Sequence, residues 1–556
     1  MSDNVMAEYD VIVIGSGAGG LASAVALAQA GKRVLVLEQH YVPGGWCHSF
    51  QLKGYRFSPG VHYIGELGLG GRMRQIYEGL GITADLSFCE INPKGYDHIL
   101  LGKECFDIPK GRGAFGESLK ARFPKEKKGI DGYLDTIEGI SRELGEVEGF
   151  DSVSSLLTLP FRAPKLTRWG FFSAQSLIHH WVKDPSLRAV LGAQAGDHGL
   201  PPSLVPAPVH AGVAAHYFGG AYYPLGGAFA IPTAFVRALK HAGGEIRLRS
   251  TVDQIILESG KAVGVRLADG SEVRAQHVVS NADPDMTFRK MIGTENLSRK
   301  LHRKLERTRY SVSALSLFMA VDMDLRAAGL DSGNYWYYPK ADVEGTYSQG
   351  MKAWGAEVKE LSGFFLTATT LKDPSKMRKG HHTLEAFAFV DYDSVKKWVG
   401  GKSGDRAGAY EDFKNEIQSL MLRTAEEIVP GLQKNLVFSE LGTPLTNQHY
   451  LGATRGNIYG TEKSLFQLGP WSFPIRSEID NLFLCGASTY GHGVQGATFS
   501  GLVAAQEILG CSLDSILSQK GPPVEIYPSE NLNKWPESLQ KKIEKAQKKI
   551  LKEVVT

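Results

Sequence analysis

Cysteine is scarce in this chain of 556 residues: there are five, at Cys47, Cys89, Cys105, Cys485 and Cys511. Odd in number, scattered and without a C-x-x-C pair, they build neither a disulfide framework nor a zinc site, and they fit a reducing compartment. No metal is expected. Charge of one sign is lacking too. Lys and Arg total 62 against 59 Asp and Glu, a net charge of +3, so the broad basic field of a nucleic-acid binder is missing. No uncharged apolar run approaches about 18 residues, so no transmembrane helix is expected. The opening MSDNVMAEYD has neither the basic nor the apolar region of a secretory signal. The expectation is a cytoplasmic protein, with any membrane contact peripheral. Internal repeats and low-complexity blocks are missing as well. What remains is ordinary globular composition, 43% hydrophobic and 22% charged, long enough for two or more lobes.

Glycine is what the chain has in quantity, 64 residues. Its placement is most telling in residues 9–38, YDVIVIGSGAGGLASAVALAQAGKRVLVLE. Residues 11–14 are an apolar β-branched run, as expected of a buried parallel strand. Gly15, Gly17 and Gly20 follow in G-x-G-x-x-G spacing. An Ala-rich helix over 21–30 and a second buried strand over 34–37 come next, closed by Glu38. Gly15 permits the tight turn, Gly17 lets backbone approach a pyrophosphate, and Gly20 lets helix pack on strand. The helix N-terminus faces the phosphates. Glu38 stands 18 residues past Gly20, where a carboxylate accepts from a ribose hydroxyl and repels a 2′-phosphate. Strand, helix and acid together make this a dinucleotide site, without choosing between NAD and FAD.

Further along, Gly44 and Gly45 provide either close passage of backbone past a cofactor or a simple turn. Residues 54–71, GYRFSPGVHYIGELGLGG, are rich in glycine and aromatics and carry His62, Tyr63 and Glu66. Residues 72–150 read as helical with loops. Residues 154–182 interleave Leu, Phe and Trp with Arg162, Lys165 and Arg168, which fits either a helical lobe or a membrane-dipping patch. A helix over 229–242 and strands over 245–248, 261–267 and 273–280 return the chain to the cofactor unit, with Asp269-Gly270 as a hairpin turn. Strands over 311–321, 363–370 and 383–390 and a helix over 407–428 make a second excursion, in which Tyr335 to Tyr338 form an aromatic cluster. Residues 442–460 read as a glycine- and amide-rich loop segment. Residues 481–485 form a last buried strand leading through a glycine loop into a helix. In the tail, Leu539, Ile543, Ala546, Ile550 and Val554 line one helical face amid lysines, suited either to an anionic membrane or to docking on the body.

The C-terminal glycine loop separates FAD from NAD, because backbone N–H groups around Gly493 to Gly496 suit the pyrimidine edge of a flavin. Certain motifs are more specific still: GSGAGG with Glu38, PGG at 43–45, SPGVHYIG at 58–65, YPLGG at 223–227, VVSNADP at 278–284, TPLTNQ at 443–448 and CGASTYGHGVQGATFSG at 485–501. On these the chain, to about residue 512, resembles the FAD-dependent carotenoid desaturase, carotenoid isomerase and retinol saturase family. VHYIG and PLTNQ look most like retinol saturases.

The resemblance implies an α/β, two-lobed fold: an FAD-binding Rossmann-type domain with a discontinuous α+β substrate domain. Residues 1–75, 225–300 and 435–515 are expected to bind FAD. Residues 76–224 and 301–434 are expected to form the substrate and membrane-facing domain, and 516–556 a basic amphipathic tail. The cofactor set is Gly15, Gly17, Ala18, Gly19, Gly20, Glu38, Gly44, Gly45, Val252, Asn281, Gly486, Ala487, Gly493, Val494 and Gln495. The implied chemistry is hydride transfer with flavin N5 at carbon–carbon double bonds of an apolar polyene or isoprenoid, saturase-like, with desaturation or isomerisation as alternatives. The proton donor or substrate anchor is sought first at His62, Tyr63 and Glu66, then at Asn447, Gln448 and His492. An amine-oxidase-like enzyme and a non-catalytic isoprenoid carrier are the competing readings. No second G-x-G-x-x-G follows a strand, so an NAD(P)H site has no support, and the electron partner and oligomeric state stay open.

Overall fold

A computed structural model describes residues 7–146, 153–354, 358–401, 406, 408–518, 520–541 and 543–544. Its first sheet grows from the glycine motif. The strand Tyr9–Ile14 pairs in parallel with Val34–Leu37 and with Glu272–Ser280, in a register that sets Val13 beside Val36 and Val279. Leu482–Leu484 adds to Glu272–Ser280 in parallel, and Glu245–Arg247 adds to Val34–Leu37. Tyr9–Ile14, Val34–Leu37 and Leu482–Leu484, buried on both faces, carry apolar residues without alternation. The helix Ala18–Gln29 covers one face and packs against the late helix Gly493–Leu509. Antiparallel Val252–Glu258 and Lys261–Leu267 extend the sheet on its far side.

The second sheet has seven strands, in the spatial order Leu436–Gly442, Ser313–Val321, His382–Val390, Phe364–Ala368, Asn334–Tyr338, Asp97–Leu101 and Glu104–Ile108. Alternation of side chains divides the aromatic cluster between its faces. Trp336 and Tyr338 pack with helices from residues 112–216, whereas Tyr335 packs with the helix Gly408–Ile428.

Two segments depart from the sequence reading, and the beginning of the tail takes one of its two alternatives. Residues 72–150 hold strands at Ser87–Glu90, Asp97–Leu101 and Glu104–Ile108 as well as helices. Mixed polarity hides them, because Glu104–Ile108 buries only Phe106 and Ile108. The supposed loop at 442–460 contains the helix Pro444–Leu451, which opens on a Thr443/Thr446 capping box and ends at Gly452 with φ 62°. In the tail, Trp535 and Ile543 are buried against Cys89, so its beginning docks on the body. Ala546, Ile550, Val554 and most of the tail lysines lie outside the described residues. The segment 153–182 forms three helices with Leu166, Trp169, Leu177 and Ile178 in the core.

Candidate active site

The first strand ends at Gly15 with φ +87°, and Gly17 caps the helix behind it. A Cβ on Gly17 would meet Asn281 Nδ2 at 2.5 Å, and one on Gly20 would strike the Gly15 carbonyl. Glu38 is buried with both oxygens engaged: Oε2 accepts from Ser16 N (2.8 Å) and Oγ (2.5 Å), and Oε1 accepts from His40 N (2.8 Å). Gly44 N donates to Ser16 Oγ at 3.1 Å, tying the second glycine pair to the first loop. Gly45 stands so close to Gly17 that a Cβ there would lie 3.2 Å from the Gly17 Cα. From the C-terminal side, Gly486 (φ +92°) leaves room for Asn281 Oδ1, which also accepts from Gly20 N at 3.1 Å. The helix Gly493–Leu509 then presents a second N-terminus. Two helix N-termini, glycine surfaces that any Cβ would fill, and a fixed acid form the donor set that an adenine dinucleotide needs.

These groups line one cavity of about 2140 Å³. Of the expected cofactor residues, Gly15, Gly17, Ala18, Glu38, Gly44, Gly45, Val252, Asn281, Gly486, Ala487, Gly493, Val494 and Gln495 border it. Gly19 and Gly20 stand behind it and serve close packing instead, facing Ala497 and Gly15.

Beyond this cradle the cavity continues between the helical layer and the second sheet, with Trp336, Phe365, Phe387 and Phe389 on its wall. His62, Tyr63, Glu66 and His492 border it; Asn447 and Gln448 do not. On the helix Pro444–Leu451, Asn447 donates to Ser313 Oγ and the Gly456 carbonyl, both at 3.4 Å, and Gln448 accepts from Tyr392. Their amides tie segments together, so they are withdrawn as candidates.

Each remaining candidate has a defined neighbour. His62 packs on Phe387 with ring centroids 4.6 Å apart. Its Nδ1 lies 3.2 Å from Glu385 Oε2, an ion-pair distance without hydrogen-bond alignment. Burial holds its pKa below the usual histidine range, although Glu385 opposes this. Glu66 accepts from Gln495 Nε2 at 2.6 Å. Burial raises its pKa, partly offset by Gln495 and Arg72. His492 donates through Nε2 to the Asp197 carbonyl at 2.7 Å, and burial brings its pKa down to about 4, so it is neutral. Tyr63 stacks on Tyr217 at 4.4 Å, and its hydroxyl reaches Asp197 and Asp97.

The chain also buries charged groups that sequence reasoning missed. Lys372 donates to the His62 carbonyl (2.7 Å) and Asn334 Oδ1 (2.5 Å). Burial lowers its pKa to about 7 against the pull of Asp97 and Glu385. Lys463, on the cavity wall, donates to the Ala487 carbonyl at 2.6 Å, and burial takes it to about 7 as well. One signal was available: Glu385 is an acid inside the apolar strand HTLEAFAFV, and Asp97 heads DHILL. Lys372 and Asp197 sit in unremarkable local sequence.

The family model described as flavin-containing amine oxidoreductase matches residues 18–326. An all-trans-retinol 13,14-reductase of Danio rerio is 30% identical, covering 92% of this chain and 88% of its own. A chloroplastic prolycopene isomerase of Daucus carota is 28% identical over 93% of this chain and 82% of its own. Among solved structures, an oxidoreductase of Methanosarcina mazei shares the fold, with TM-score 0.60 and 19% identity over 89% of this chain and 100% of that one. A flavin family and an adenine-dinucleotide cradle together define the cofactor as FAD. The chain belongs to the flavin-containing amine oxidoreductases, in the branch that holds the retinol saturases and carotenoid isomerases.

Proposed function

We propose that the protein saturates a carbon–carbon double bond of a long apolar polyene of the retinol or carotenoid kind. The carrying observation is the unbroken cavity. At about 2140 Å³ it has more than twice the volume of an ordinary ligand pocket, about 300–1,000 Å³. That leaves space for a dinucleotide and an elongated second molecule. The reductase and isomerase relatives support this substrate class, and the former supports saturation. Residues 1–75, 225–300 and 435–515 serve FAD in this reading, and 76–224 with 301–434 serve the polyene.

Bound in the cradle, FAD supplies hydride chemistry at N5. The chain's own part is to exclude water and hold the polyene. The apolar faces of Trp336, Phe365 and Phe387 do this by burial, with His62 packed among them. Entry of so apolar a molecule fits the surface beside the chamber. Phe161 is 88% exposed and Phe171 73% exposed, with Arg162 and Arg168 exposed nearby, and Phe171 also borders the cavity. Apolar residues with basic neighbours suit peripheral contact with an anionic bilayer.

The test is anaerobic incubation of the reduced holoprotein with all-trans-retinol, carotenes and polyprenoid quinones, read by mass. A gain of two mass units is expected. Unchanged mass with altered retention indicates isomerisation, and no change with any of them sinks the polyene reading. Phe161→Ser with Phe171→Ser is expected to reduce flotation with phosphatidylserine-containing vesicles; undiminished flotation refutes that entry surface.

A further inference from the structure

Tyr63 stands between two carboxylates. Its hydroxyl oxygen lies 2.9 Å from Asp197 Oδ2 and 3.3 Å from Asp97 Oδ2. A phenol has one proton and donates one hydrogen bond. Were both acids ionised, one would press its lone pairs on the Tyr63 oxygen with no hydrogen between them. One carboxyl therefore carries a proton and donates to Tyr63, which donates to the other.

The surroundings decide which acid holds it. Asp97 accepts from Asn334 Nδ2 and from Gln194 Nε2, both at 2.9 Å, and feels the Lys372 charge. Among the described residues, Asp197 has only Tyr63 as a side-chain hydrogen-bond donor. The other titratable groups around it are Tyr96, Tyr217, Tyr338, Tyr347 and Tyr459, with His492 on its carbonyl and Lys463 beyond that histidine. Burial, reinforced by the Asp97 charge, raises the Asp197 carboxyl to about 8 against the Tyr63 hydrogen bond. Asp197 borders the cavity and Asp97 lies behind it.

We propose that Asp197 is the acid that protonates the substrate, with Tyr63 and Asp97 as its positioning pair. This rests on the reduction of a double bond proposed above. One carbon takes a hydride from reduced flavin, which is left oxidised, and its neighbour takes the proton. The π bond is lost, two C–H bonds form, and the Asp197 O–H bond breaks. Once the proton has left, the Tyr63 hydroxyl turns from Asp97 to donate to the Asp197 carboxylate, while Asp97 keeps its two amide donors.

The test compares dithionite-reduced wild-type, Asp197→Asn and Asp197→Glu holoproteins on all-trans-retinol, with a flavin absorbance spectrum and denaturation midpoint for each as fold controls. Removing a general acid costs about 10²–10⁴-fold in rate. Asp197→Asn is expected to lose at least about 100-fold in kcat with KM little changed, and Asp197→Glu to recover part of it. The wild-type rate should fall tenfold per pH unit above about 8, a break absent from Asp197→Asn. A second readout needs no turnover: the infrared band of a protonated carboxyl in the resting holoprotein should vanish as pH rises through that value and be missing from Asp197→Asn. A wild-type rate and pH profile in Asp197→Asn, or no such band in the wild type at pH 6, overturns the assignment. Wild-type protein inert toward every polyene defeats the proposed function instead, and the infrared band then decides the state of Asp197 alone.

Discussion

Gly501→Ala sets two effects of opposite sign against each other. Gly501 is buried within the helix Gly493–Leu509, and replacing glycine by alanine in a helix ordinarily gains about 1 kcal/mol. Here the added Cβ would run into the Gly19 carbonyl oxygen, with the carbonyl carbon at 2.8 Å and the Cα at 3.0 Å. Carbon atoms rest about 3.5–4.0 Å apart, so the two helices must part by roughly 1 Å. The obstacle is backbone and cannot rotate away. Overpacking costs about 1–3 kcal/mol, and rigid backbone places this case at the upper end. The expected net loss is about 2 kcal/mol. Gly113, in the helix Arg112–Arg122, is exposed with nothing within 4 Å of its Cβ, so Gly113→Ala should gain up to about 1 kcal/mol. Urea midpoints of the holoproteins measure both, and flavin fluorescence titration of the apoproteins measures FAD. Both parted helices present their N-termini to the cradle in which FAD would bind, so Gly501→Ala should also bind FAD more weakly. A Gly501→Ala protein as stable as Gly113→Ala, with unchanged FAD affinity, refutes the reasoning.

Glu38→Gln leaves three donors facing an amide with one acceptor oxygen. The loss of a hydrogen bond to a charged group, about 1.5–3 kcal/mol, should raise the FAD Kd by about 10–150-fold in the same titration. His98 lies 2.7 Å from Asp107 and 3.0 Å from Asp331 through its two nitrogens. Burial alone would lower its pKa, but the two carboxylates outweigh it and hold the imidazolium up to about 12. Its contribution is therefore complete below the unfolded value of about 6.5 and declines as pH rises toward the folded one. Both partners have lowered pKa values, so their share is lost in acid. The stability gap between wild type and His98→Gln, from urea midpoints, should be largest between about pH 4 and 6.5 and smaller at pH 10; a gap that widens with pH refutes the clamp. Tyr63→Phe removes the hydrogen bond that favours ionised Asp197, so the break in the pH–rate profile should move up from about 8; an unmoved break refutes that coupling.

The dinucleotide half of the site was legible because its chemistry is local. Tyr9 to Glu38 build strand, turn, helix, strand and acid in one continuous stretch, and the register of Val11 on Val34 follows from two apolar runs that can be buried only as neighbours. The chamber is different. Tyr63 meets Asp197 across 134 positions and Asp97 meets Asn334 across 237. No spacing rule reaches so far, because the strand order of the second sheet sets Asp97 beside Asn334, and the packing of the turn Ala193–Asp197 against the loop that carries Tyr63 sets the other meeting. Asn447 and Gln448 show another limit. Their amides were read for chemistry, while Thr443, Pro444 and Gly452 around them spelled a capped helix whose side chains serve the fold. The tail was read by its stripe, which suits a bilayer and a protein surface alike; the pocket for Trp535 on Cys89 comes from residues hundreds of positions away.

The polar side of the chamber follows a rule that explains why one acid is left to react. Burying a carboxylate is costly unless donors replace water. Glu385 takes Ser58 N at 2.9 Å and the flank of His62, Asp97 takes two amides, and Glu66 takes Gln495. Lys372 and Lys376 add positive charge near the first two. Among the described residues Asp197 has no cation beside its carboxyl, and its one side-chain donor, Tyr63, is shared with Asp97. The least supported carboxyl on the wall is the one for which remaining protonated is cheapest, and it is also one that borders the substrate chamber. Supplying it with a cation would make it a carboxylate and leave it no proton to give. The lack of a cation beside Asp197, rather than the one partner it shares, makes it fit to act as an acid.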